Sequence, residues 1–104
     1  MNLEDFFGTR IDKARLKTLE PIKQAIESLN LPPLRYRKLN GIINALTMQI
    51  EDGGDFNEVN ELLIMALRCA VIAQVGKESA SAVLDALTRF EQSEASRLRG
   101  KNSA

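Results

Sequence analysis

The stretch LLIMALRCAVIAQV, Leu62 to Val75, carries only two strongly polar side chains in fourteen positions, Arg68 and Gln74. As a helix it would be about 21 Å long, short of the ~30 Å of a bilayer core, and it holds an arginine near its middle, so it is not a membrane span. A helix that is apolar on nearly every side must be covered by the rest of its own chain or by another protein. Which of the two covers it decides the architecture.

The residues before this run set its start. Asp52-Gly53-Gly54 forms a turn short enough to fold the chain back, and Asp55 followed three residues later by Glu58 matches a helix-capping pair, predicting a helix over 56–75. Gly76 suits a left-handed cap at its end. Upstream, Tyr36, Leu39, Ile43, Leu46 and Ile50 recur at steps of three and four, with Ile42 widening the stripe, and predict a helix over 34–51. Pro33 fits the first position of that helix, while Asn30 to Pro33 ends the one before. Gly41, inside the second helix, costs about 1 kcal/mol of propensity and marks an expected close approach of another backbone.

Leu16, Leu19, Ile22, Ile26 and Leu29 keep to one face and predict a helix over about 10–29, opened by Thr9 and Asp12 as a capping pair and kinked or restarted at Pro21. Downstream, Ala80, Val83, Leu84, Leu87 and Phe90 give a helix over 79–96. A short helical lead at 2–7, capped by Asn2, would tuck Phe6 and Phe7 against the body, and a polar tail at 97–104 is expected to fray. No alternating strand pattern and no repeat is present. The fold expected is therefore all-α, an antiparallel four-helix bundle-like single domain over residues 1–96.

Hydrophobic residues at 44% and charged residues at 27% are the balance of a globular chain, and 104 residues suit one core. Fourteen basic and fourteen acidic residues cancel, so the whole molecule has no electrostatic pull on nucleic acid or an anionic membrane. The charges are nonetheless segregated. Residues 10–38 hold eight bases against three acids, residues 51–61 hold five acids and no base, and 97–101 holds three bases. The simplest expectation is that these patches pair with one another. The single cysteine, Cys69, cannot form an internal disulfide and is expected to fill core space as a small hydrophobe. The start MNLEDFFG is acidic and lacks an apolar signal core, which points to the cytoplasm.

Motifs for chemistry fail on inspection. VIAQVGKES has valine at 71 where a phosphate loop needs glycine, and Glu78 where it needs Ser or Thr. EDGGDFNE lacks oxygen ligands at the spacing of a calcium loop. With no histidine in the chain, His-based triads and the usual zinc or di-iron sets are ruled out. Glu58 with Glu61, and Glu91 with Glu94, read as solvated helix surface. No cofactor or metal is expected, and no enzyme.

Two binding surfaces remain. In LPPLRYRKLNG the cations Arg35, Arg37 and Lys38 crowd a helix N-terminus that already carries partial positive charge. They either pair with the acidic 51–61 segment of a neighbouring helix or of a second subunit or, with Asn40 and Asn44, contact the phosphates of a nucleic acid in the manner of a recognition helix. On the third helix, Glu58, Glu61, Met65, Arg68 and Ile72, with Ile64 alongside, mark the face where solvent should be. Ile64, Met65, Arg68 and Ile72 there predict a protein interface, best met by a two-fold homodimer in which Arg68 lies at the rim or reaches Glu58 or Glu61 of the second copy. The alternative is a central helix wrapped by the others, with Arg68 reaching out to water. The function expected is a small helical adaptor or regulator acting on itself and on another protein, the alternative a nucleic-acid-binding regulator.

Overall fold

A computed structural model describes residues 13–102, which are all helix and connecting turn. The expected lead at 2–7 and the capping pair Thr9 and Asp12 lie outside the described residues. After a helical run at 13–17 come α1 (Glu20–Glu27), α2 (Pro33–Glu51), α3 (Glu58–Val75) and α4 (Ser81–Asn102). Each helix packs against its neighbours in the chain, and α1 closes the ring by packing on α4. Arg68 of α3 meets Thr88 and Glu91 of α4 while Asp55, just before α3, meets Arg97, so α3 and α4 run antiparallel. The same holds for α1 and α4: Pro21 to Ser28 faces Arg89 back to Ala82, and Arg15 reaches Glu94.

The core follows the apolar stripes. Leu19, Ile22 and Ile26, then Leu39, Ile43, Leu46 and Ile50, then Ile64, Leu67 and Val71, then Ala80, Val83, Leu87 and Phe90 are buried. Leu16, Leu29, Tyr36, Ile42 and Leu84 pack at its margin. Burying one such Leu, Ile or Phe contributes roughly 1.5–3 kcal/mol, so the periodic stripes carry the folding free energy.

The restart expected at Pro21 is present: the first helix is broken at Thr18 and Leu19, and Pro21 stands in the first turn of α1 where no N–H is needed. Other local features depart from the expected details. Thr18 donates its hydroxyl back to the Arg15 carbonyl, and α1 has no side-chain cap. The cap of α3 is Asn57, whose side-chain oxygen accepts from the Val59 and Asn60 N–H groups at 2.9 and 3.2 Å, in place of Asp55. Helix α4 does not end near 96 but continues to Asn102, and Arg97 in this extension pairs with Glu94 and Asp55. Gly41 is exposed with nothing within 4 Å of where a Cβ would stand, so no second backbone approaches it.

Gly76 closes α3 with its N–H donated to Ile72 and its backbone at φ 84°, ψ 162°, a region essentially reserved for glycine. Two glycines thus carry opposite predictions for urea unfolding. Gly41→Ala raises stability by about 1 kcal/mol, because only helix propensity changes. Gly76→Ala lowers it by about 1–2 kcal/mol through backbone strain, although a Cβ there would touch nothing within 4 Å.

Candidate protein-contact surface

Helix α3 buries Asn60, Ile64, Leu67 and Val71, a stripe at i, i+4, i+7 and i+11. The opposite side exposes Val59, Leu62, Met65, Ala66, Cys69 and Ala73. Leu62 and Met65 are 59% and 58% exposed, against 0% for Ile64. The four residues expected to form one outward face therefore do not share it. Ile64 is core, Ile72 is half-buried against the core, Arg68 turns sideways to α4, and Met65 alone of the four is on the exposed side. The true outward face lies roughly a quarter of a turn away from the expected one, at 100° per residue. It includes Cys69, which is exposed and not core filler.

The physical reason is that α3 is apolar all round, so hydrophobicity alone hardly favours one phase. Glu58, Glu61 and Arg68 look like markers of the solvent side. Arg68, however, is half-buried and spends its charge on α4, where its guanidinium donates to Glu91 and, at 3.3 Å, to the Thr88 hydroxyl. The Thr88 hydroxyl in turn donates to the Leu84 carbonyl at 3.0 Å. Pairing Arg68 within the chain leaves the back of α3 without a charge between Glu61 and Lys77.

A second polar cluster lies inside the molecule. Arg15 donates through Nε and Nη2 to Oε1 of Glu94 at 3.2 and 2.9 Å, and Arg97 Nε donates to Oε2 at 3.1 Å. Arg97 also reaches Asp55 at 3.2 Å, so two cations and two anions alternate in one chain of contacts. Arg15 and Glu94 are 5% and 2% exposed, which overturns the reading of Glu94 as solvated surface. Both had a sequence signal. Arg15 stands one turn before Leu19 in the stripe 15, 19, 22, 26, and Glu94 one turn after Phe90 in the stripe 83, 87, 90, 94.

The basic cluster of α2 is open. Arg35, Arg37, Lys38 and Asn44 are exposed and Asn40 is half-buried, and among the described residues none of the three cations has an ion pair. Within one chain the expected pairing with the acidic segment fails for distance. Arg37 and Glu51 sit at opposite ends of one helix, about 20 Å apart at 1.5 Å per residue. The acidic segment instead meets the C-terminal bases, Asp55 with Arg97. Helix α2 has no acidic residue in its first turn and no side-chain cap to offset those cations.

Between α4 and the segment 14–28 run shallow depressions of about 340, 240 and 370 Å³, floored by small residues such as Ala25, Ala86 and Ser93. They hold no convergent set of catalytic groups. Among the described residues no cluster of three or more His, Cys, Asp or Glu is placed to hold a metal, and no helix is long and apolar enough to cross a membrane. No family model matches the chain, and neither a curated protein nor a solved structure does.

The two ion pairs differ in burial and hence in worth. Glu94→Leu strands Arg15 in the interior and costs about 3–5 kcal/mol in denaturant unfolding. Arg68→Ala, at a pair whose side chains remain about one-third exposed, costs less than about 1 kcal/mol.

Proposed function

We propose that this chain is a non-enzymatic helical adaptor or regulator that acts through protein–protein contacts, with the outward face of α3 as its contact surface and self-association among its contacts. The observation that carries this reading is the exposure of Leu62, Met65, Ala66, Cys69 and Ala73 side by side on one helix face. Each apolar side chain left in water there is hydrophobic free energy not used by the fold, and a contiguous patch of this kind is recovered by docking.

A second reading has its own observation. Arg35, Arg37 and Lys38, exposed and without an ion pair among the described residues, suit phosphate oxygens, which favours binding of nucleic acid by the start of α2. Zero net charge weighs against it, because the remaining surface offers no long-range attraction.

One experiment separates the two. The chain is immobilised and challenged with native extract, with or without nuclease, as wild type, as Leu62→Glu and as the triple alanine variant at 35, 37 and 38. Contact through α3 predicts proteins that are retained after nuclease and by the triple variant but lost with Leu62→Glu, a substitution at an exposed site that leaves the helical circular dichroism unchanged. Retention that vanishes with nuclease and with the triple variant selects the nucleic-acid reading. Equal retention by wild type and Leu62→Glu rejects the α3 surface.

A further inference from the structure

We infer that the partner seated on the outward face of α3 is a second copy of this chain, with the two α3 helices antiparallel about a two-fold axis midway between Ala66 and Cys69. This rests on the contact reading of that face and adds its occupant and register.

The exposed stripe has a spacing that reads the same in both directions. Leu62, Ala66, Cys69 and Ala73 are separated by four, three and four residues. A reversed copy therefore sets Leu62 opposite Ala73, and Ala66 opposite Cys69, twice over. Large side chains meet small ones, and every contact made by one copy is returned by the other, as an isologous interface requires. Ala66 and Cys69 at the centre permit the axes to approach to about 8–9 Å, the close end of helix packing.

Charge sets the direction. The first charged residue before the stripe is Glu61, with Glu58 one turn earlier, and the first after it is Lys77. All three are exposed, and none has an ion pair among the described residues. A parallel pair would set acid beside acid, base beside base, and two helix dipoles head to head. Reversing one copy brings Glu58 opposite Lys77 in the register that aligns Leu62 with Ala73, and sets the dipoles in opposition. Arg68 would be the one charge to disturb such a seam, and its pairing with Glu91 removes it.

The register can be read out at Cys69, the only cysteine of the chain. In this pairing the two Cys69 positions are offset by three residues, about 4.5 Å along the axis, across a closely packed centre. Their Cα atoms then lie about 6 Å apart, within the range a disulfide spans.

The test combines equilibrium sedimentation over a concentration series with copper-phenanthroline oxidation of the full chain. The inference expects a reversible species of twice the 11.6 kDa chain mass and a Cys69–Cys69 disulfide formed at concentrations where that species is populated. Glu58→Lys weakens the dimer about threefold or more, and adding Lys77→Glu restores it, with unchanged circular dichroism in both variants. A mass of 11.6 kDa at every concentration overturns the pairing, and the contact reading of α3 then stands or falls on the extract experiment. A dimer that does not link through Cys69 and ignores both charge reversals also overturns it, placing self-association on another face.

Discussion

A carboxylate shut away from water must find cations, and Glu94 finds two. Arg15 supplies both donors to one oxygen and Arg97 supplies a donor to the other, so the buried charge is neutralised and its lone pairs are engaged. Three separate parts of the chain meet at this point: the helical run before α1, the C-terminal half of α4, and, through Asp55, the turn that leads into α3. The desolvation of such a pair cancels much of its Coulomb attraction, so it is not the main source of stability. Its importance lies in the requirement it places on the surrounding helices, which have to deliver those groups to one another within hydrogen-bonding distance.

Much of the fold is legible in the sequence because three of the helices are amphipathic. Leu19, Ile22 and Ile26, or Leu39, Ile43, Leu46 and Ile50, point to the core by spacing alone. The chain breaks are legible for similar reasons, since proline and glycine restrict or free the backbone locally at Pro21, Pro33 and Gly76. Helix α3 is different. With apolar residues on all sides, its phase is set by what its neighbours offer, chiefly the acidic Glu91 that draws Arg68 aside and the core that accepts Asn60. Such information lies in other helices, and no window along α3 contains it.

The polar residues that enter the core are those obeying the apolar pattern. Arg15, Asn60 and Glu94 each occupy a core position of their own helix. Judged by type they belong outside, and judged by position they belong inside. Position prevails here because opposite charges on the helical run before α1 and on α4 compensate each other, which a single helix read alone cannot reveal. Asn60 is not fully compensated, for its side-chain oxygen is buried without a hydrogen-bond partner among the described residues.

The distribution of these groups gives the helices an index. Arg15, Asn60 and Glu94 lie towards one end, at the start of α3 and the far part of α4, whereas the other end is lined by Ile26, Leu39, Val71 and Val83. Apolar side chains are nearly interchangeable as neighbours, so sliding α4 by one helical turn, about 5.4 Å, would still set hydrophobe against hydrophobe. It would also carry Glu94 away from Arg15 and Arg97 away from Asp55, leaving Arg15 a buried charge without its partner. The ion pair thus works as a detent: packing energy holds the helices together, and the charges select which of several similar alignments they settle into.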